Sequence, residues 1–543
     1  MYSSSNKNQI WSSLEEHCKE ISKKSLIELF NENPERSTDF STSFGDLWVD
    51  ISKQIIDSKT IQLLSDLAEE SKINQFFEDM MTGSPVNLTE KKPALHTALR
   101  APKDSKILVD GKDVVPSISE TLEKMEKFSH NIRNGKLLGS TGAPITSVVA
   151  LGIGGSNLGS VMALKALSKF AHSEITIKFC SSIDAVDLDQ TLDQLNPETT
   201  IFLVTSKSFN TKETLLLMEN AKKWLEGSIV ATGLSKHLVG ITNFRDKAIN
   251  CGLEGSMVFD IPDWVGGRFS LSSAAGLALM ISIGADEFSN LLSGMNLIDN
   301  KTASESFESN GALLLALTDI WNRSFLDYPT MAVIPYSSQM SDFPPYLQQL
   351  MMESLGKNNQ NDEHELGSSI GSVVWGATGT ESQHAFFQFL HQGTDVVPCE
   401  MLGFSSSYED SRQEQQQQHS LFANLLAQSE ALAFGSGTEE DLIPEKKLKG
   451  NRPSTVILAP KLTPFILGQL ISLYEHRTVA SGVIWGVNPF DQWGVELGKS
   501  IATDIELELH EPSSSRSTDL QRMRNSSNEV LMERFRILRD YSQ

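Results

Sequence analysis

Four short apolar runs alternate with stretches of helical length: ITSVVALG (145–152), ITIKFC (175–180), TIFLVTS (200–206) and HLVGIT (237–242), with helix-like segments such as 158–171 and 211–225 between them. Parallel strands need long crossovers, and strands buried on both faces read as unbroken apolar runs. This rhythm therefore predicts a parallel sheet with helices on both faces. It returns in MAVIPYS (331–337), SVVWGA (372–377), DVVPCEMLGF (395–404) and STVILAP (454–460), with helical stretches near 345–357, 380–391, 419–434 and 463–476. The halves share the pattern without close sequence identity. The fold class is α/β: two doubly wound parallel-sheet domains, an N-terminal helical region and a C-terminal helical tail.

The first hundred residues or so read mainly as helix, with Trp11, Leu14, Cys18 and Ile21, then Ile61, Leu64, Leu67 and Ala68, at helical spacing. Residues 286–325 read as an inner helical region. RQEQQQQHS (412–420) reads as a loop or exposed helix start, and EPSSSRS (511–517) as a loose connector to a last helix. The expected organisation is a helical region over 1–120 packing on the second domain, α/β domains over 121–285 and 286–505, and a tail over 506–543.

Composition narrows the function. The chain has 543 residues, 46 Lys plus Arg against 69 Asp plus Glu, and a formal charge of −23. A basic footprint for nucleic acid is missing, although a small anion can still bind at a local positive site. Cys18, Cys180, Cys251 and Cys399 are too scattered for a metal cluster and suit a reducing compartment. No signal peptide is visible at the N-terminus, and the longest apolar run, AAGLALMISIGA from Ala274, is too short to span a bilayer. A soluble cytoplasmic protein is expected.

In SVVALGIGGSNLGSVMALKAL (147–167) a strand, a glycine-rich turn and a helix follow one another, the layout that sets a phosphate on a helix N-terminus. Gly152 and Gly154 fit the dinucleotide fingerprint, but Asn157 stands at its third glycine and the next strand ends in Ser181 and Ser182 rather than an acid. No G-K-[ST] follows. The loop alone suits one phosphate or a ligand-free turn equally. VTSKSFNTKET (204–214) then offers Ser206, Lys207, Ser208, Thr211 and Thr214 where another strand meets its helix. Capping explains one or two of these residues; five beside a glycine loop suggest a phosphate cradle.

Four further segments carry groups suited to chemistry. In PDWVGGRFSLSSAAGL (262–277), Arg268 follows Gly267 and presents a rigid, permanently charged fork to an anion or a salt-bridge partner. PPYLQQLMMESLGK (344–357) places Tyr346, Gln349 and Glu353 on one helical flank. Glu353 becomes a base if that flank faces a cleft and is otherwise a solvated carboxylate. GTESQHAFFQFLHQGTD (379–395) puts His384 and His391 on one face, but no third ligand stands at a metal-binding spacing. NDEHEL (361–366) likewise lacks the H-E-x-x-H spacing. NPFDQWGVELGK (488–499) aligns Gln492, Glu496 and Lys499, with Pro489 and Asp491 as helix-start signals; Lys499 pairs with Glu496 or reaches a polar ligand.

Taken together, DWVGGRFSLSSAAG, GVIWGVNPFDQWGVELGK, the glycine loop, SKSFNTKET, MESLGK and QHAFFQFLHQGTD closely resemble, in order, the hallmark segments of the phosphoglucose isomerase family. The likeness runs from Trp11 and LHTALR (95–100) to the terminal helical region. It implies two sugar-isomerase domains, a homodimer with shared active sites, no cofactor or metal, and reversible conversion of glucose 6-phosphate to fructose 6-phosphate in glycolysis and gluconeogenesis. Residue by residue, the resemblance implies a phosphate site of Ser156, Ser206, Lys207, Ser208, Thr211 and Thr214, with Gly155 and Gly267 bringing backbone close to the ligand. It makes Glu353 the base and Arg268 the enediolate stabiliser, with Gln349 and Gln492 holding sugar hydroxyls. His384, typically from the partner subunit in this family, and Lys499 open the ring. Ser208 replaces a frequent Thr, Asn157 an Asp and Ser160 a Pro, while Lys92 and Pro93 depart from the usual Arg and apolar residue.

Two other classes compete. A non-catalytic sugar-phosphate sensor needs the phosphate loops but not Arg268, Glu353, His384 and Lys499 together. A nicotinamide-dependent dehydrogenase needs the fingerprint that Asn157 breaks.

Overall fold

The computed structural model describes residues 5–358, 369–409, 411–436, 443–510 and 526–541. NDEHEL (361–366) and EPSSSRS (511–517) lie outside them. The chain divides into two compact units, Met1–Asp491 and Gln492–Gln543.

The strands of the first unit are β1 (Ser41–Phe44), β2 (Leu47–Lys53), β3 (Leu108–Val109), β4 (Lys112–Asp113), β5 (Ser147–Leu151), β6 (Thr176–Cys180), β7 (Thr200–Thr205), β8 (Leu238–Thr242), β9 (Val258–Asp260), β10 (Thr330–Pro335), β11 (Val373–Trp375), β12 (Cys399–Phe404) and β13 (Ser454–Ala459). β3 and β4 form a small separate hairpin. One large sheet is wholly parallel in the order β6-β5-β7-β8-β9. The other runs β1-β2-β13-β12-β10-β11, with β10 to β13 parallel. In both, the first four parallel strands stand in the order second, first, third, fourth. The repeat read from sequence is thus a repeat of topology, and each sheet reverses direction between its first and third strands.

The N-terminal region departs from a purely helical reading. Helix Ser5–Ile21 buries Trp11, Leu14, Cys18 and Ile21, and helix Ser58–Glu70 buries Leu64, Leu67 and Ala68, as their spacing requires. Between them, β1 and β2 form a hairpin across Gly45 (φ +66°), and β2 adds antiparallel to β13. The second sheet is therefore mixed at that edge. Leu47, Val49 and Ile51 are buried while Trp48 is exposed, the alternation of a half-covered strand.

Helices Ala285–Ser304 and Pro464–Trp485 cross in the core at a pair of glycines. A Cβ on Gly294 would lie 1.9 Å from Phe465 O, and one on Gly468 would lie 2.1 Å from Leu291 O. Pro464–Trp485 is nearly all buried, so it carries an apolar sequence on every side. Glu475 and His476 on it are ion-paired: the Arg100 guanidinium donates to both Asp299 oxygens at 2.7 and 2.8 Å and lies 2.7 Å from Glu475, while His476 Nε2 lies 2.7 Å from Asp299. LHTALR thus anchors the core through Arg100. Among the described residues no helix is long and apolar enough to cross a membrane.

The second unit comprises a short turn, Trp493–Val495, and helices Glu496–His510 and Ser526–Tyr541. Arg536 Nη2 donates to Glu508 O at 2.9 Å, joining the helices.

Candidate active site

The reversal of the parallel sheet lies between β5 and β7, and the glycine-loop and SKSFNTKET segments leave the carboxyl ends of those strands. Crevices at such points are where open α/β sheets bind ligands. After β5, Gly154 (φ +60°) turns the chain into a helical turn ending at Ser156. After β7, Ser206 Oγ and Thr211 Oγ1 share a hydrogen bond at 3.0 Å. Thr211 occupies the N-cap of helix Lys212–Glu226 without a side-chain capping bond, and Thr214 is buried in the first turn. The hydroxyl cluster therefore does not serve as a conventional cap. Ser208 is exposed, its Oγ accepting from Asn210 N at 3.3 Å.

Lys207 has a different place from the one expected of a phosphate ligand. Its ammonium donates to Asp263 O at 2.6 Å and Val265 O at 2.9 Å, strapping the β7 loop to the segment before Arg268. Burial lowers it from the ordinary lysine value, and Lys92, which shares Asp263 with it, adds to that.

The glycine loop and the Arg268 turn meet backbone to backbone. A Cβ on Gly155 would lie 2.3 Å from Gly267 C and 2.6 Å from Arg268 N. Only a residue without a side chain allows this approach. Ser270 Oγ donates to Gly155 O at 3.3 Å across the same seam.

Arg268 is buried and its fork reaches two other segments. Nε donates to Ser354 Oγ at 2.6 Å, Nη1 to Glu353 Oε2 at 3.1 Å, and Nη2 to Pro489 O and Asp491 O at 2.8 and 2.9 Å. Burial lowers its affinity for a proton, while Glu353 and Asp491 act in the opposite direction. Glu353 Oε2 also accepts from Gln349 Nε2 at 3.2 Å. These two residues lie on a π-helical stretch, Gln348–Glu353, inside the expected helix. Such widened turns often mark functional sites.

The change of helical register also separates a residue grouped with them by spacing. Tyr346 is buried, and Glu475 and Arg100 are the charges that act on its hydroxyl. It therefore belongs with the Arg100 cluster rather than with Gln349 and Glu353.

Two other alignments do not survive folding. The helix expected over 380–391 breaks into Gly379–Gln383 and Phe387–Gln392, with Phe386 packed edge-on against Trp375 at 4.8 Å between ring centroids. His384 sits exposed at the break, while His391 Nε2 lies 2.9 Å from Gln428 Oε1. In NPFDQWGVELGK the helix begins only at Glu496, so Gln492 precedes it and does not share a helical face with Lys499. Lys499 Nζ pairs with Glu496 at 2.9 Å. Pro489 and Asp491, expected as start signals, instead offer their carbonyls to Arg268.

Thus the first unit brings Gly155, Gly267, Arg268, Gln349 and Glu353 together. Sequence reasoning missed Ser354, Lys357 and the Asp491 side chain. Among the described residues no group of three or more His, Cys, Asp or Glu side chains is arranged to hold a metal ion.

The family model described as phosphoglucose isomerase matches residues 50–529. Glucose-6-phosphate isomerase 3 of Rhodococcus jostii is 44% identical over 500 residues, 90% of this chain and 91% of the relative. The glucose-6-phosphate isomerase of Deinococcus radiodurans is 40% identical over 538 residues, 97% and 98% of the two chains. The crystal structure of a glucose-6-phosphate isomerase from Chlamydia trachomatis superposes with a TM-score of 0.84 at 30% identity, covering 97% of this chain and 98% of the other.

Proposed function

The chain belongs to the phosphoglucose isomerase family and interconverts glucose 6-phosphate and fructose 6-phosphate, and on that premise we propose how its residues do so. The observation that carries the reading is the contact of Arg268 Nη1 with Glu353 Oε2 at 3.1 Å, a fixed cation against a carboxylate.

Glu353 removes the C2 proton of the open-chain aldose, and the C–H electron pair enters the C1–C2 bond while charge moves on to O1. Arg268 stabilises that enediolate. Glu353 then returns the proton to C1, the O2 hydroxyl proton passes to O1, and the carbonyl stands at C2. One base serving adjacent carbons needs no oxidant or reductant. Gln349 and Gln492 hold sugar hydroxyls. His384, supplied by the partner subunit of a homodimer, and Lys499 open the ring.

Ser156, Ser206, Ser208, Thr211 and Thr214 bind the phosphate with the N–H groups of the glycine loop, which gives binding energy remote from the reacting carbons. Lys207 supports this site as a positive strap, and Gly155 and Gly267 keep the backbone close to the sugar. The two sugar-isomerase domains span 121–285 and 286–505, between an N-terminal region over 1–120, helical apart from its short strands, and a tail over 506–543, and the enzyme works in the cytoplasm.

The test is Glu353→Gln, assayed from fructose 6-phosphate with chelator present and paired with a measurement of sugar-phosphate binding. Turnover should fall by roughly two to four powers of ten while binding persists. Near-normal turnover removes Glu353 as the base.

A further inference from the structure

Beside the Arg268–Glu353 contact stands an ion pair that the reaction as described does not use. Lys357 Nζ lies 2.7 Å from Asp491 Oδ1 and donates to Asp491 O at 2.9 Å and to Asn488 O. Asp491 Oδ2 accepts from Thr89 Oγ1 at 2.6 Å and Asn488 Nδ2 at 2.8 Å. The Asp491 carbonyl receives Arg268 Nη2 as well as the Lys357 ammonium, so one peptide oxygen takes hydrogen bonds from two cations. Both charged side chains are largely withdrawn from water, at 18% and 6% exposure. A pair so placed costs desolvation and is weak evidence of stability by itself. Its position suggests another use, since Lys357 follows Glu353 by four residues and Asp491 ends the turn that receives Arg268.

We propose that Lys357 and Asp491 are positioning residues: the pair docks the 488–491 turn on the Gln348–Glu353 segment, aims Arg268 at Glu353 and balances the charge around that carboxylate. This rests on Glu353 being the base. Lys357 without Asp491 leaves a second cation near Glu353, and Asp491 without Lys357 leaves a second anion.

The remaining charges fit this assignment. Arg268 faces Glu353 from the Gly267–Phe269 turn, and Glu90 acts on Arg268 from the segment that also supplies Thr89. Glu475, His476 and Arg477, on the helix packed behind, are engaged with Arg100, Asp299, Asp319 and Glu400. Burial lowers Lys357 from the usual lysine value; Asp491 and Glu353 raise it again and Arg268 lowers it, so these four charges act on one another.

The experiment compares kcat against pH for Lys357→Met, Asp491→Asn, the double variant and Lys357→Arg, with Glu353→Gln in the same series. Lys357→Met should move the acid limb to higher pH and Asp491→Asn to lower pH. Each shift should be about one pH unit, as for one charge changed within roughly 10 Å in a partly buried site. The double variant should return the limb to within about 0.2 unit of the parent, and Lys357→Arg should leave it in place. Each single variant should lower kcat about tenfold with little change in KM. The substrate phosphate titrates alike in every comparison.

Unmoved limbs in folded variants, or limbs displaced in one common direction, overturn the proposal. If Asp491→Asn does not fold, Lys357→Met against Lys357→Arg decides it. If Glu353→Gln is inactive while the limbs stay fixed, the positioning role alone fails. If Glu353→Gln remains active, the proton-transfer reading fails instead.

Discussion

Gly155 and Gly267 meet so closely that a Cβ on the first would lie 2.3 Å from the carbonyl carbon of the second. The contact is not symmetrical, because a Cβ on Gly267 would come no closer than 3.8 Å to Gly155 Cα. One glycine is required by space and the other is not. This seam joins the glycine loop after β5 to the turn carrying Arg268, linking the proposed anchoring and reacting ends of the site.

Gly155→Ala should therefore force the two loops apart, costing about 1–3 kcal/mol of stability and lowering kcat/KM. Gly267→Ala should unfold near the parent's midpoint, since ordinary van der Waals distance is available. Urea unfolding of both variants checks the asymmetry; equal losses would contradict it.

Arg268→Lys keeps the charge but not the fork. An ammonium cannot span Ser354, Glu353 and the two carbonyls that the guanidinium reaches. The expected fall in kcat is roughly 10²–10³-fold, the size seen when a preorganised charge stabiliser is lost. Steady-state kinetics with thermal unfolding separates this from misfolding, because a folded variant of near-normal kcat would exclude the role.

Ser206→Ala and Thr211→Ala each remove one member of the hydroxyl pair after β7. Each should weaken competitive inhibition by inorganic phosphate roughly ten- to a hundredfold, the value of one hydrogen bond to a charged group. The kcat at saturating substrate should change less. Unaltered phosphate inhibition in both variants would place the anion elsewhere.

His96 gives a pH dependence with a definite sign. Its ring is buried, 4.7 Å from Phe269 between centroids, and burial followed by the nearby Arg100 charge holds it well below the ordinary imidazole value. The unfolded chain takes up a proton near pH 6.5, whereas the folded chain does not. Stability is thus fully present above that pH and falls below it, by at most about 1.4 kcal/mol per pH unit, until the folded group also titrates. His96→Gln should lose part of this slope between pH 7.5 and 5.5 in denaturant unfolding, and an unchanged slope would assign the acid sensitivity to other groups.

Much of the architecture was legible because its signals are local. A strand buried on both faces needs an apolar run, and a βα turn needs glycine where the backbone bends sharply, so β5, β7 and β8 and their loops stand within a residue or two of expectation. Gln349 and Glu353 share one flank as their spacing suggested, and Arg268 reaches Glu353, a meeting that only the family resemblance implied. The β1–β2 hairpin escaped because its sheet partner, β13, is some four hundred residues away, although LWVDISK alternates as a half-buried strand should. The histidine face from 384 to 391 failed because spacing assumes one unbroken helix, and packing of Phe386 on Trp375 accompanies a break there.

Residue types and their local spacing determined the α/β architecture, the glycine loop and the hydroxyl-rich loop, and the family, since each is written in neighbouring residues. Only the tertiary structure decided what each polar group spends its hydrogen bonds on. It turned Lys207 into a strap between loops and moved Tyr346 to the core cluster. It drew Asp491 into the support of Arg268, whose described acceptors lie 85 to 223 residues away in the chain. The physical reason is that buried donors and acceptors must be satisfied by whatever the fold brings within about 3 Å, and partners that distant leave no trace in local sequence.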